Sequence, residues 1–308
     1  MSESEICLIV VFNHRYDGNI DKLEKIYANR FKNILFLVPS YDGNKSNVIP
    51  VYIKPELFQG FFIQAFEKFF DDKYSHYVFL ADDLVLNQNI NAENILNELK
   101  LEKDSAFIKY LTPLPDQPLY WGPLVSVMMA INRNFTPENS KQLPDIKTAI
   151  DSFHKSNLKI QPSDLRPRIN ILECLMRAVV HHLGRTTLLR KTKMKGFWPM
   201  PYPLAMGYSD FVIVPASSIR NFCRYCGMFA IMDVFVEVAV PTSLVLSCEK
   251  INTENKTVWK GTEIWGERER ERIEELCHYN LKNLYGEFKN DQLYIHPVKL
   301  SKWNVESI

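Results

Sequence analysis

Surplus charge is the first thing this sequence lacks. Its 37 lysines and arginines stand against 36 aspartates and glutamates, a formal net charge of +1. A chain so balanced has no global field to hold nucleic acid, so no nucleic-acid partner is expected and any anion site must be local. There is also no G-x-G-x-x-G and no G-x-x-x-x-G-K-[ST], which argues against Rossmann dehydrogenases and P-loop NTPases. Long apolar runs free of acids are missing too. The most apolar stretch, 227–247, carries Asp233, Glu237 and Pro241, and each acid at mid-bilayer would cost roughly 2.5–3.5 kcal/mol, so it reads as a buried helical segment. The acidic opening Met1-Ser-Glu-Ser-Glu leads into only seven apolar residues, which is not a secretory signal. Cys223 and Cys226 form a lone C-x-x-C with no second pair, so a zinc site is not expected; reduced thiols in a cytoplasmic protein are. No internal repeat or low-complexity segment occurs.

What is present is an ordinary globular composition, 46% apolar and 24% charged, with length enough for a sizeable core. The 19 phenylalanines and 14 tyrosines exceed what a core alone needs, so some are expected to line a ligand groove. Continuous apolar, β-branched runs at 6–11, 33–38 and 48–53 predict strands buried on both faces. Helical spacing appears at 21–31, 57–70 and 92–99, with further strands from Tyr77 and at 106–111. This alternation predicts an α/β fold with a mostly parallel sheet, and such sheets bind ligands at the carboxyl ends of their strands. Beyond residue 111 the pattern is less regular. Helices are predicted at 146–155, 171–183, 217–225, 229–246 and 267–275, and strands at 210–214 and 292–295.

The central stretch is Tyr77-Val-Phe-Leu-Ala-Asp82-Asp83-Leu-Val-Leu86, an apolar strand ending in two carboxylates. Buried strands do not end in paired negative charges without a purpose. Either the acids cap the next turn, or they hold a divalent metal that in turn holds a diphosphate. Phe12, Asn13 and Asp42 fall at neighbouring strand ends, so a nucleotide-sized ligand could touch all these loops. Far along the chain, His296 is followed by Lys299 and Lys302: an imidazole that can ligate a metal and two point charges for phosphate. Three further acids are candidates for catalysis or acceptor binding. Asp210 precedes a strand, while Asp233 and Glu237 stand at i, i+4 and so on one side of an otherwise apolar helix. The basic run 185–195, beside Phe197, Trp198 and Tyr202, could dock an anionic lipid-diphosphate acceptor or the membrane surface, or be a solvated loop.

Together, the acids near residue 80 and the ending His296…Lys302-Trp303 resemble glycosyltransferases of the GT-A fold. The tail is similar to the H-x-x-G-x-x-K-P-W ending of the glycogenin and lipopolysaccharide galactosyltransferase type. The resemblance implies a single Rossmann-like domain over 1–308: a mixed, mostly parallel sheet flanked by helices, with a nucleotide-binding half at 1–111 and an acceptor-binding half at 112–308. In that group a D-x-D motif and the C-terminal histidine bind a divalent metal, and the lysine contacts the donor diphosphate. Asp83 matches the last acid, His296 the histidine and Lys302 the lysine. Ala81 replaces the first acid, which leaves Asp82 in the middle position, and Lys299 replaces the motif glycine. The implied activity is transfer of a hexose from a nucleotide sugar, a UDP-sugar, to a glycan or lipid-linked acceptor in surface polysaccharide synthesis. Asp83 and His296 would hold Mn2+ or Mg2+, Asp82 would assist, and the enzyme would be cytoplasmic, peripheral at the membrane face. The tail suits a retaining enzyme; the acidic helix suits an inverting one, whose base deprotonates the acceptor. A sugar-nucleotide nucleotidyltransferase and a non-catalytic binder of the same fold are the alternatives.

Overall fold

The computed structural model describes residues 5–117, 122–166, 171–184 and 199–306. Strands β1 (Glu5–Val11), β2 (Asn33–Pro39), β3 (Val48–Val51) and β4 (Tyr74–Ala81) alternate with helices α1 (Gly18–Tyr27) and α2 (Gln59–Phe69). Then come β5 (Val85–Leu86), α3 (Ile95–Glu98), β6 (Ser105–Ile108) and β7 (Leu111–Pro113). A helical stretch follows: α4 (Leu124–Asn134), α5 (Pro137–Ser140), α6 (Ile146–Lys155) and α7 (Ile171–Gly184). The remainder is β8 (Ala205–Gly207), β9 (Phe211–Pro215), α8 (Ala216–Ile231), α9 (Val236–Ser247) and β10 (Lys250–Asn252), then β11 (Lys260–Glu263), α10 (Glu267–Leu276), α11 (Leu281–Gly286) and β12 (Gln292–His296).

Seven strands form one sheet in the order β10-β6-β9-β4-β1-β2-β3. Neighbours are parallel except around β9, which runs antiparallel to both β4 and β6. The mixed, mostly parallel sheet flanked by helices is the α/β architecture read from the sequence. β9 and β10 come from the second half of the chain, so the two halves share this sheet.

Successive residues of a strand face opposite sides, and β1 shows the consequence. Ile6, Leu8 and Val10 enter one core with Ile20, Leu23 and Tyr27 of α1. Cys7, Ile9 and Val11 enter another with Phe61, Phe62, Phe66 and Phe69 of α2 and Phe222 of α8. The surplus of phenylalanine is spent largely here, correcting the expectation of a groove lining: Phe62 lies 4.5 Å from Phe79 and 5.8 Å from Phe222 between ring centroids. Tilted and stacked pairs of this kind add about 0.5–1.5 kcal/mol each beyond their area.

The helix expected at 229–246 is two helices. α8 ends at Ile231, Asp233 takes φ 60°, and α9 starts at Val236. Two distant side-chain amides hold the break, Asn134 donating to the Met232 carbonyl and Gln59 to that of Val234. Apart from Glu237, α9 is apolar on both sides because it lies between two cores, Val236, Val240 and Leu244 facing one and Val238, Ala239 and Val245 the other. Its Thr242 hydroxyl both accepts from the Ala205 N–H and donates to the Ala205 carbonyl, clamping β8.

That clamp leaves no room at Gly207. A Cβ there would meet the Tyr110 carbonyl oxygen at 2.4 Å and Pro241 at 3.2 Å. Gly207→Ala should therefore cost about 1–3 kcal/mol by overpacking, read as a lowered denaturation midpoint with an unchanged m-value. A midpoint equal to wild type would show that β7 and β8 can part freely.

A second sheet, β11-β12-β5, is smaller but decides where the end of the chain lies. β12 pairs antiparallel with β5, placing Ile295 opposite Val85. β5 begins two residues after Asp83, so this pairing carries His296 to the acid pair.

Candidate active site

Several strand ends meet at one edge of the main sheet. The Asp82 N–H donates to Val11 O (3.1 Å) at the end of β1, and the Ala81 N–H donates to Asp210 O (2.9 Å) at the start of β9. The Val298 N–H donates to Asp83 O (2.6 Å), which ties the segment after β12 to the turn after β4. The side chains close the same circuit: His296 Nε2 lies 3.1 Å from Asp83 Oδ1, across 213 residues of sequence. His296 is buried and Asp83 partly exposed.

Around this pair stand three more acids. Burial lifts the Asp210 carboxyl to about 6, the charges of Asp83 and Glu263 adding to the rise and His296 opposing it. Glu237 rises to about 7, through burial and then the charge of Asp210. Burial pushes the His296 imidazole down, but its hydrogen bond to Asp83 and the charges of Asp83, Asp210 and Glu263 outweigh that, and the net direction is up. Burial and the charges of Glu237, Glu263 and Asp210 raise the Tyr110 phenol to about 12. The result is an acidic pocket with one imidazole, an environment that favours a cation. Behind it, Lys109 is ion-paired with Glu263 and donates to Gly261 O (2.9 Å). Tyr294 donates to Glu263 (3.2 Å) and stacks on Tyr208, and the rings of Tyr208 and Trp265 meet His296 edge-on at 5.9 and 5.8 Å. These packed neighbours fix the imidazole's orientation.

A divalent metal fits Asp83 and His296. A carboxylate oxygen and an imidazole nitrogen are donor types such an ion takes, and here they stand 3.1 Å apart, joined by a hydrogen bond. Among the described residues no cluster of three or more His, Cys, Asp or Glu completes a cage. An ion here would take its other positions from water and phosphate, as hard cations commonly do.

The remaining expected residues divide. Asp82 is 2% exposed, turned beneath the site toward Asn19 of α1, with one carboxylate oxygen lacking a hydrogen-bond partner. Burial and the adjacent Asp83 hold its carboxyl well above the usual range. It does not face the cleft beside Asp83, which corrects its expected role at the metal or donor. Phe12 is fully buried, edge-on to Phe36, so its ring is core rather than a donor contact. Asp233 is corrected with its helix: it pairs with Lys54 at 2.8 Å, apart from Glu237's face. Asn13, Ala81, Ser209 and Asp210 line a small hollow floored by Phe58 and Phe62. Asp42 is exposed and held by Arg15 at 2.5 Å, which also donates to Ser40 O (2.9 Å); the loops after β1 and β2 thus meet through a guanidinium. Lys299 is exposed, just after the Val298–Asp83 contact, and Lys302 lies 3.6 Å from Glu274. The basic-aromatic residues expected at 185–198 lie outside the described residues, whereas Tyr202 is buried.

Sequence reading missed Lys109, Glu263, Tyr110, Tyr208 and Lys22. The Lys22 ammonium donates to the carbonyls of Leu300 (2.7 Å), Ser301 (3.2 Å) and Trp303 (2.8 Å), pinning the tail to α1. Nothing in the local sequence marks them, because each acts through a partner far along the chain.

No family model and no curated protein matches the sequence. Among solved structures, the mannosyltransferase Ktr4p of S. cerevisiae is similar at 13% identity and TM-score 0.34, over 80% of this chain and 66% of that one. Core-mannan synthase A (CmsA/Ktr4) of Aspergillus fumigatus, in its Mn/GDP form, is similar at 11% identity and TM-score 0.34, over 81% of this chain and 72% of that one. Overlaps so low do not carry an activity across, and the site geometry stands on its own. Among the described residues, no helix is long and apolar enough to cross a membrane.

Proposed function

We propose that the protein is a metal-dependent glycosyltransferase that moves a hexose from a nucleotide sugar, a UDP-sugar, to a glycan or lipid-linked acceptor. The observation that carries this reading is the meeting of Asp83 and His296 at 3.1 Å, at the edge where open α/β sheets take their ligands. Asp83 and His296 would hold Mn2+ or Mg2+. A bound metal supplies charge stabilisation for the departing diphosphate. Lys299 lies within the same tail and adds a point charge for that phosphate, with Lys302 released from Glu274 as a second. Asn13 and Asp42, with Arg15 between their loops, would bind the nucleoside.

On the acceptor side, Glu237 and Asp210 are carboxyls poised near neutrality, where a general base works best. Either can take the acceptor hydroxyl's proton in an inverting transfer; in a retaining one they would stabilise the cationic sugar. A nucleotidyltransferase would need a glycine-rich, arginine-bearing loop after β1. Here that loop is Phe12-Asn-His-Arg15, and its arginine is already tied to Asp17 and Asp42.

The test is a thermal-shift panel of UDP- and GDP-sugars with and without Mn2+, followed by donor hydrolysis on every sugar that binds. A ligand present at a hundred times its Kd should stabilise the fold by about 2.7 kcal/mol. Binding with turnover supports the transferase, binding without turnover of any donor makes it a binder, and neither ends the reading.

A further inference from the structure

The small hollow beside Asp210 contains a buried hydroxyl that bonds nothing in the fold. Ser209 is 4% exposed, and its Oγ has no hydrogen-bond partner. Buried hydroxyls are paired in the large majority of cases, and an unpaired one needs a reason. The backbone around it is fixed on both sides. A Cβ at Gly207 would already collide with the Tyr110 carbonyl, and the Asp210 carbonyl accepts from the Ala81 N–H at 2.9 Å. Tyr208 belongs to the core on the α1 side, whereas the rings flooring the hollow belong to the core on the α2 side. Ser209 therefore turns away from Tyr208 and into the hollow, and no small shift of the chain brings its hydroxyl to another partner.

Size and lining say what fits. The space open to the centre of a water-sized group is about 10 Å³, enough for a single water molecule or a single hydroxyl. The floor is the rings of Phe58, Phe62 and Phe79, and the polar groups are those of Ser209, Asp210 and Asn13. The rings offer a hydroxyl no conventional hydrogen bond, so its partners must be the polar three. Asn13 follows β1, beside the loop proposed for the nucleoside, and Asp210 stands on the reacting side. A group lodged between them belongs to the sugar that links the two. We propose that Ser209 reads one hydroxyl of the transferred hexose, which enters this hollow and bonds to Ser209 Oγ and the Asp210 carboxyl. The acceptor's reacting hydroxyl is the poorer occupant, because it must keep a face open to the donor carbon, and the rings and polar groups here enclose it. The inference rests on the transferase reading and adds a requirement to it: the sugar must carry a hydroxyl at that position. A deoxy sugar would leave Ser209 unpaired against three rings, and sites built on such a bond reject the analogue lacking it.

The experiment is donor hydrolysis by the full chain with Mn2+. UDP-glucose, UDP-galactose and GDP-mannose are tried, and the fastest is compared with its 2-, 3-, 4- and 6-deoxy analogues. One of the four should lose about 10- to 150-fold in kcat/KM in the wild type, the scale of one unpaired buried hydroxyl. In Ser209→Ala that loss should shrink by about fivefold or more, because the partner that enforced it is gone. Comparing the two proteins cancels the intrinsic reactivity of each deoxy sugar. A merely structural serine would slow parent and analogue alike and leave their ratio unmoved. Free Ser209→Ala should melt no lower than wild type, since the hydroxyl it removes bonds nothing in the fold. Ser209→Cys, close in size and a weak donor, replaces it if it does not fold. The inference alone is overturned if wild type hydrolyses a donor yet uses all four analogues as well as the parent, or if the folded variant keeps the full loss. If no donor is hydrolysed, the transferase reading falls and this inference falls with it.

Discussion

Asp83→Ala should lower donor turnover by about 10²–10³-fold, the usual scale for losing one group that stabilises charge in a transition state. Added Mn2+ should recover little of it, because on the proposed reading the substitution removes one of the two side chains that would hold the ion. His296→Ala should act alike. The pair offers the sharper test: two residues holding one ion form a unit, so the double variant should fall little below the worse single one. Multiplying losses would mean that the two side chains serve separate purposes, despite the 3.1 Å between them. Undiminished turnover in Asp83→Ala would remove the metal from the reaction.

Glu237→Gln should change activity and stability in opposite directions. Its carboxyl is lifted from 4.5 to about 7 by burial and by Asp210, so the ionised base accumulates only above that pH. Wild-type kcat/KM should climb through neutrality; the variant should lose roughly 10²–10⁴-fold and the climb with it. For stability the sign reverses. An acid whose folded pKa is raised contributes fully below its unfolded value, and that contribution is lost as pH rises through about 7. The wild type therefore carries a disfavoured buried charge at alkaline pH that glutamine lacks. The variant should melt higher than wild type at alkaline pH, by roughly 1–3 kcal/mol, with no such gain below 4.5. A variant that keeps the climbing pH profile would shift the base assignment to Asp210, whose carboxyl near 6 predicts a lower inflection.

Much of the sheet was legible because its signal is local. Continuous apolar runs marked β1, β2 and β3 to within a few residues, and 146–155 matches α6. The distant pairing of His296 with Asp83 was legible for a different reason: an imidazole followed by two lysines and a pair of acids suit one metal and one diphosphate, and both pieces resemble the GT-A pattern. Where the reading failed, the deciding contact lay elsewhere in the chain. The break before Glu237 depends on Gln59 and Asn134, and no periodicity within 229–246 contains them. Glu263 of β11 and Lys109, just past β6, meet across 154 residues of sequence. The orientation of Asp82 is the exception, because it was within reach. Neighbouring residues leaving a strand tend to face opposite ways, so one of two adjacent acids had to turn inward, and Asp82 did.

The small β11-β12-β5 sheet also bears on synthesis. A ribosome lays down Asp83 long before His296, and every strand of the seven-stranded sheet has been made once β10 has emerged. A nascent or clipped chain ending before β12 would hold Asp83 without His296, and would lack Leu293, Tyr294, Ile295 and Trp303 from the core shared with β1 and α1. On the proposed reading such fragments would be inert toward donor, and the Asp83–His296 pair would form only as β12 zips onto β5.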